Sequence, residues 1–284
     1  MLVPRAYASR MQRGNRHDPL LLQVLPDSSE QVPVPGFVND PVGDSQSRQT
    51  RGLLHKYHGR ALLISTGACA VHCRYCFRQH YPYANDHLGR NLEPALAYIE
   101  RQSDIAEVIL SGGDPLMLDT ARLAELGGRL SAVEHIRRLR IHTRLPVVLP
   151  DRVDQDFCAW INALPWPVVV VIHANHGAEF DSQVDGAISR MRAAGAHVFN
   201  QAVLLKDIND NEDSLVELME RSFAAGVVPY YLHLLDRVEG AARFDTSTEL
   251  ALQLHERLRL RLPGYLVPRL VREQAGAPYK LPVL

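Results

Sequence analysis

Three cysteines lie close together in the first third of the chain, at Cys69, Cys73 and Cys76, in the spacing C-x3-C-x2-C. Cysteine thiolates are the usual protein ligands of iron–sulfur clusters, and a cluster that only transfers electrons is held by four of them. Three ligands from one short loop would bind three irons of a [4Fe–4S] cluster and leave the fourth iron open to chemistry. The spacing therefore predicts a [4Fe–4S] cluster with one reactive iron.

Two other kinds of site are compatible with this array. A structural zinc ion takes four Cys or His ligands, and His72 and His80 could complete such a set. A disulfide is disfavoured, because four cysteines in 284 residues without a secretory signal indicate a reducing compartment. The fourth cysteine, Cys158, falls in a helical pattern where a small apolar residue is the ordinary interpretation, so we do not expect it to bind the cluster.

The elements around the array alternate between apolar, β-branched runs and stretches with helical periodicity. The runs predict six strands, at 61–66, 107–111, 138–143, 167–174, 197–205 and 227–235, and the helices lie near 91–102, 119–131, 154–163, 183–194, 211–224 and 246–259. Strands that alternate with helices pair in parallel through right-handed crossovers. Six units are too few to close an eight-stranded barrel, so we expect an α/β fold, an open (β/α)6 partial TIM barrel.

The polar residues that could do chemistry follow these strands. The cysteine loop comes after the first strand, and the segment SGGDP, from Ser111 to Pro115, comes after the second. The later strands carry Arg144, His173, Gln201 and Asp236 in or just after them. Active sites of such α/β folds form at the carboxyl ends of the strands, so we expect these side chains to meet.

The composition argues against some classes of partner. A net charge of −1 gives no reason to expect a nucleic-acid or membrane surface. The first residues are rich in arginine, faintly like a transit peptide, but they lack the apolar run of a secretory signal. We therefore expect a cytoplasmic protein whose N-terminal extension packs on the core.

The cysteine array, with Tyr75 before its last cysteine, resembles the signature of the radical S-adenosylmethionine enzymes. The resemblance implies that the open iron binds the methionyl part of S-adenosylmethionine, and that one electron from the cluster then cleaves this cofactor to a 5′-deoxyadenosyl radical. An external donor such as flavodoxin or ferredoxin would supply the electron. The segment SGGDP matches a Gly-Gly-acid motif of the family, which implies that Ser111, Gly112, Gly113 and Asp114 bind S-adenosylmethionine.

Most of the chain, from about Gly52 onward, resembles the lysine 2,3-aminomutases. The resemblance rests on the segments GLLHKYHGRALL, CAVHCRYCFRQHYPYA, VILSGGDPLM, RIHTRLPVVLP, NQAVLLKDIND and PYYLHLLDRVEGAARF. In that family a C-terminal lysine anchors pyridoxal 5′-phosphate covalently, and the matching residue is Lys280 in AGAPYKLP. A partly desolvated amine is a good nucleophile for this bond.

The same resemblance implies further cofactor contacts. Lys56 and Arg60, near the first strand, match basic positions that hold the phosphate of pyridoxal phosphate, an anion that needs cationic partners. His173 and Gln201 match positions that contact S-adenosylmethionine.

The substrate contacts implied by the resemblance are Arg78, Asp236 and Glu273. Arg78 matches the arginine whose planar fork binds the substrate carboxylate, and Asp236 matches a carboxylate that holds the ε-ammonium of lysine. Glu273 departs from part of the family, because the free-lysine aminomutases of the fermentative type have an aspartate seven residues before the anchor lysine. The run of glycines that precedes this lysine in those enzymes is also broken here, in EQAGAPYK.

The segments HKYHGRALL, GAPYK and LHLLDRVEGAARF resemble those of the bacterial branch of the family that modifies translation elongation factor P. The expected function is therefore conversion of L-lysine to (R)-β-lysine, which a separate ligase attaches to the factor. The alternatives are a 2,3-aminomutase for another amino acid, a different radical S-adenosylmethionine reaction, and a non-enzymatic iron–sulfur or zinc protein. The expected regions are an extension at 1–53, the barrel at 54–260 and the segment with the anchor lysine at 261–284.

Overall fold

The computed structural model describes residues 2–284 and joins ten strands in one sheet, in the order of the chain. The strands are β1 (Arg48–Thr50), β2 (Leu53–Tyr57), β3 (Arg60–Thr66), β4 (Glu107–Gly112), β5 (Arg138–Thr143), β6 (Val168–Ile172), β7 (His197–Val203), β8 (Val228–His233), β9 (Arg269–Arg272) and β10 (Leu281–Pro282). Every neighbouring pair from β3 to β9 is parallel, and the pairs at the two edges, β1–β2, β2–β3 and β9–β10, are antiparallel. Within residues 2–284, β1 and β10 do not pair with each other, so the sheet is open.

Helices connect the parallel strands and cover the outer face of the sheet. They are α4 (Glu93–Arg101), α5 (Thr120–Ser131), the short α6 (Leu145–Val148), α7 (Gln155–Ala163), α8 (Ser182–Ala193), α9 (Glu212–Ala224) and α10 (Thr248–Arg261), preceded by three single turns, α1 (Arg5–Ala8), α2 (Pro19–Leu22) and α3 (Asp44–Ser47). Side chains that accept from free N–H groups in the first turn begin most of the long helices. These caps are Asp119, Asp154, Asp181, Asn211 and Ser247.

The expected α/β partial barrel is confirmed, and so are the six predicted strands and six predicted helices, with small differences at their ends. The last residues of two strands differ from the prediction. β6 stops at Ile172 and β8 at His233, so His173 and Asp236 lie in the loops after the strands.

Four strands were not predicted, and all four belong to the edges of the sheet. β1, β2, β9 and β10 contain between two and five residues, too few to show a period of two, and several of these residues are charged. They lie near or beyond the ends of the predicted barrel region, 54–260, so both flanking regions contribute strands to its sheet.

The apolar core lies between the strands and the long helices. β6 reads Val-Val-Val-Val-Ile and is almost fully buried, as expected for a parallel strand covered on both faces. A smaller cluster joins the N-terminal turns to the barrel, because Tyr7, Leu20 and Val24 pack against Val71 and Val148. Of the helices in residues 2–284, none combines the length and apolarity needed to cross a bilayer.

Candidate active site

A cavity of about 1310 Å³ opens at the carboxyl ends of the parallel strands. Its walls contain every residue that the sequence nominated for the site: Lys56, Arg60, Cys69, Cys73, Cys76, Arg78, Ser111, Gly112, Gly113, Asp114, His173, Gln201, Asp236, Glu273 and Lys280. Ligand pockets usually have about 300–1000 Å³, so this cavity is large enough for more than one small molecule. The structure therefore brings together residues of the barrel and of the C-terminal segment.

Backbone hydrogen bonds from Gly113 and Asp114 connect the residues just after β4 to the start of the cysteine loop. Gly113 N–H donates to Thr66 O at 2.8 Å, and Asp114 N–H donates to Ala68 O at 2.8 Å. A Cβ on Gly113 would collide with the carbonyl of Ala68, and Gly112 has φ +118°, which side chains rarely adopt. The glycines of SGGDP thus allow the strand end to approach the loop that carries the cysteines.

The three thiols of this loop lie close enough to influence one another. Burial raises the pKa of Cys69 to about 12 and that of Cys76 to about 11, and the neighbouring cysteines add to both shifts. In residues 2–284 no three His, Cys, Asp or Glu side chains are already arranged as a group that could hold a metal ion. His80 contacts Glu239 O at 3.0 Å, and His72 is exposed.

Cys158 lies apart from the other three cysteines. It packs on the main core from α7 and does not belong to the walls of the cavity. The structure therefore separates the cysteine that the sequence set aside from the three that it nominated.

Asp114 makes structural contacts with both carboxylate oxygens. Oδ1 accepts from Thr143 Oγ1 at 2.7 Å and Leu116 N–H at 3.0 Å, and Oδ2 accepts from the N–H groups of Arg144 at 2.7 Å and Leu145 at 3.2 Å. Burial raises the pKa of Asp114 to about 6, although each of these hydrogen bonds lowers it. The carboxylate therefore joins the ends of β4 and β5 beside the cysteine loop.

Charged side chains of alternating sign cross the other side of the cavity. Asp44 Oδ2 accepts from Arg78 Nε at 2.7 Å, and its Oδ1 lies 3.3 Å from Lys56 Nζ. Lys56 Nζ also donates to Glu273 Oε1 at 2.9 Å, and Glu273 Oε2 lies 2.5 Å from Lys280 Nζ. This chain of ion pairs connects the arginine beside the cysteine loop with the lysine near the C-terminus.

Asp44 is the member of this chain of ion pairs that the sequence did not single out. It is 3% exposed and belongs to α3 in the N-terminal extension. No motif surrounds it, and its partner Arg78 is 34 residues away. Arg78 in turn donates from Nη1 to Ser111 Oγ at 3.1 Å, so the extension holds a site arginine in place.

Asp236 lies beside these charges but forms no ion pair with another described residue. Burial raises the pKa of its carboxyl to about 7, with a further increase from Glu273 and a partial decrease from Lys280 and Lys56. A carboxyl group with such a pKa in a cavity is a common feature of binding and catalytic sites.

Three histidines line the cavity with an unsatisfied ring nitrogen. Nε2 is buried and lacks a hydrogen-bond partner in His142, His173 and His233, as far as the described residues show. Burial lowers the pKa of all three, for His173 to about 4, so the rings are neutral at pH 7. Buried polar atoms are normally satisfied, so these nitrogens are available to a ligand.

Of these histidines the sequence identified only His173. His142 could have been recognised, because Arg140 and His142 alternate with apolar residues in β5 and both line the cavity. Of the remaining nominated residues, Gln201 lies half-buried in β7, and Arg60 places its guanidinium carbon 4.7 Å from the centre of the Tyr57 ring.

The chain is similar along almost its whole length to named enzymes. It is 46% identical over 282 residues to an L-lysine 2,3-aminomutase of Escherichia coli (strain K12), a match that covers 99% of this chain and 82% of that protein. It is 43% identical over 279 residues to an L-lysine 2,3-aminomutase of Haemophilus influenzae, a match that covers 98% of this chain and 82% of that protein. No protein-family model matches the chain.

Among solved structures, the fold is similar to that of a radical SAM methyltransferase from Sphaerobacter thermophilus. The TM-score is 0.52 at 16% identity, over 78% of this chain and 68% of that chain. A likeness at this level of identity concerns the fold, and it agrees with the open partial barrel described above.

Proposed function

The chain belongs to the L-lysine 2,3-aminomutase family, and we propose that it is an isomerase that moves the α-amino group of L-lysine to Cβ and so produces β-lysine. Besides the family relationship, the main support for this proposal is a single cavity that both reactive centres share. The cysteine array follows the first predicted strand of the barrel and Lys280 lies in the C-terminal segment, yet they line the same cavity. Two reactive centres that act on one substrate need this proximity.

The residues of the cavity fit the three cofactors that the sequence suggested. Bound there, a [4Fe–4S] cluster with S-adenosylmethionine would supply a radical that abstracts hydrogen, and pyridoxal phosphate would stabilise the unpaired electron while nitrogen migrates. Cys69, Cys73 and Cys76 would hold the cluster. Burial, with a further contribution from the neighbouring cysteines, raises the pKa of Cys69 and Cys76, and a bound iron would offset this cost by favouring the thiolates.

The S-adenosylmethionine site would lie beside the cysteine loop. Gly112 and Gly113 keep the backbone free of side chains there, and Ser111 adds a hydroxyl group. His173 offers a buried nitrogen, and Gln201 offers an amide from β7. Because the carboxylate of the neighbouring aspartate, at 114, already accepts four protein hydrogen bonds, we propose that it supports this site by holding β4 and β5 together.

The pyridoxal phosphate site would lie at the other end of the cavity. Lys280 would anchor the cofactor covalently, and Lys56 and Arg60 would bind its phosphate. Lys56 also pairs with Glu273 at 2.9 Å, so this carboxylate keeps a cationic partner when Lys280 is bonded to the cofactor.

The substrate would be held between these two sites. Arg78, fixed by Asp44 through Nε, would bind the carboxylate of lysine, and Asp236 with Glu273 would bind its ε-ammonium. Charge-assisted hydrogen bonds to both ends would fix the position of Cβ. The walls of the cavity would exclude water from the radical.

We also propose that the product is (R)-β-lysine and that it serves the modification of elongation factor P by a separate ligase. The broken glycine run and Glu273 support this part, because both depart from the fermentative type of lysine 2,3-aminomutase. An external donor such as flavodoxin or ferredoxin would reduce the cluster. The four free cysteines are consistent with a reducing compartment such as the cytoplasm.

An anaerobic assay tests the proposal. The reconstituted protein is incubated with dithionite, S-adenosylmethionine and L-lysine, and the product is separated on a chiral column. We expect β-lysine from the wild-type protein and none from Lys280→Ala. Reactions with other amino acids run in parallel, and faster conversion of one of these would identify the chain as an aminomutase for a different substrate.

A further inference from the structure

Arg144 connects the cysteine loop to a buried carboxylate. It directly follows β5 and is 5% exposed. Its Nη1 donates to Cys73 Sγ at 2.7 Å, and its Nη2 donates to Glu179 Oε2 at 2.9 Å. One planar guanidinium therefore contacts a thiol of the array with one arm and its counter-ion with the other.

The position of this guanidinium is fixed from several sides. Nη2 also donates to Gln23 Oε1 at 2.7 Å and to the Tyr7 hydroxyl at 3.2 Å, both in the N-terminal extension. The rings of Tyr7 and Tyr75 lie 5.4 and 5.6 Å from the guanidinium carbon. These contacts exclude water, and a charge acts more strongly on its neighbours in such an environment.

The counter-ion Glu179 is itself held by the fold. It is fully buried, and its Oε1 accepts from the backbone N–H groups of Asn175 at 2.7 Å and His176 at 3.2 Å. The carboxylate cannot follow the arginine toward the thiol, because these hydrogen bonds tie it to the loop after β6. The positive end of the pair consequently faces Cys73.

We propose that Arg144 is a positioning residue of the cysteine array, which orients Cys73 Sγ and raises the reduction potential of the cluster bound there. This inference rests on the proposed function, since it requires a [4Fe–4S] cluster on Cys69, Cys73 and Cys76. Reduction adds one negative charge to the cluster. A hydrogen bond to a ligand sulfur and a buried positive charge beside it both stabilise the reduced state.

The reconstituted protein allows a direct test, in which the midpoint potential is measured by redox titration with the electron paramagnetic resonance signal of the reduced cluster as readout. Arg144→Lys keeps a cation beside Glu179 but loses the arm that reaches Cys73. We expect the ratio of reduced to oxidised cluster at a fixed potential to fall about tenfold, which corresponds to a midpoint about 59 mV lower for a one-electron couple. Glu179→Gln removes the opposing negative charge, so its midpoint should move upward.

The matched control is Arg152→Lys. Arg152 is a half-buried arginine that donates to the carbonyls of Leu116 and Leu118, outside the cavity, so its replacement should leave the midpoint at the wild-type value. Midpoints of Arg144→Lys and Glu179→Gln that both equal the wild-type value would overturn the inference. If Arg144→Lys binds no cluster, the midpoint potential of Glu179→Gln is the test: an upward shift supports the inference, and the wild-type value overturns it. Failure of the wild-type protein itself to bind a cluster would instead reject the proposed function.

Discussion

The ammonium of Lys280 and the carboxylate of Glu273 form an ion pair, with Nζ 2.5 Å from Oε2. Burial alone would raise the pKa of Glu273, but Lys280 and Lys56 outweigh it and hold the pKa well below its usual range. In the proposed function Lys280 would anchor pyridoxal phosphate, and Glu273 would help to bind the ε-ammonium of the substrate. Lys56, whose Nζ lies 2.9 Å from Glu273 Oε1, would keep this carboxylate ionised for that role.

Replacement of the anchor lysine should separate the two cofactors. We expect Lys280→Ala to lose the pyridoxal phosphate that borohydride fixes to the wild-type protein, while iron content and reductive cleavage of S-adenosylmethionine stay unchanged. Glu273 remains paired with Lys56 in this variant, so the fold should tolerate it. The control is Lys206→Ala, an exposed lysine outside the cavity. If borohydride still fixes pyridoxal phosphate to Lys280→Ala but not to Lys206→Ala, the anchor lysine is Lys206.

The iron content of cysteine variants should follow the division between the cavity and the core. Cys158 packs on the core from α7, whereas Cys73 lines the cavity and accepts from Arg144. We expect Cys158→Ala to bind as much iron as the wild-type protein and Cys73→Ala to lose the cluster. Chemical analysis of iron and sulfide after reconstitution measures both. Loss of the cluster from Cys158→Ala would show that the ligand set is wrong.

The close approach at Gly113 should be essential to the cysteine loop. A Cβ at this position collides with the backbone of Ala68, and overpacking of this kind costs about 1–3 kcal/mol. We therefore expect Gly113→Ala to lower the free energy of unfolding, measured with urea, and to reduce the iron content.

A second glycine provides the control for this variant. Gly128 is an exposed residue of α5 with open space around it, and alanine in a helix is favoured over glycine by about 0.5–1 kcal/mol. Gly128→Ala should therefore raise the free energy of unfolding and leave the iron content unchanged. Equal effects of the two substitutions would contradict the role assigned to the contact with Ala68.

The sequence predicted the elements whose signal is long and periodic. The six predicted parallel strands and their helices each contain several residues with a regular pattern, and the nominated residues met because parallel strands place their carboxyl ends at one edge of the sheet. The edge strands gave no such signal, since β1 has three residues and β10 has two.

Contacts between distant segments were the part that the sequence could not predict. Asp44 belongs to no motif, and its role depends on meeting Arg78 and Lys56 in the folded chain. The same holds for Arg144, which the sequence placed after a strand but could not connect with Glu179 or with the thiol of Cys73. Ion pairs of this kind follow from tertiary packing and not from local spacing.

Ionisation of Asp236 should control the binding of the substrate ammonium. Its pKa is raised to about 7 in the fold, mainly by burial, from a usual value of 3.8. A carboxyl whose pKa is raised binds its proton more tightly in the folded state, so its contribution to stability is present below about pH 4 and is lost as the pH rises through about 7. An incoming ammonium reverses this penalty, because it favours the ionised carboxylate.

We therefore expect kcat/KM for L-lysine to increase as the pH rises through about 7. Asp236→Asn should remove this dependence and lower kcat/KM above pH 7 by about two to three powers of ten, because loss of the partner leaves a buried ammonium unpaired at a cost of a few kcal/mol. Glu273→Gln should lower kcat/KM by about one power of ten, since Glu273 shares its charge with Lys56.

Norleucine provides the control, because it has the same α-amino group but no ε-ammonium, and a site built around that ammonium should reject it by a large factor. Equal turnover of norleucine and lysine, or the same pH dependence for both, would show that Asp236 does not bind the ammonium and would favour an aminomutase for another amino acid.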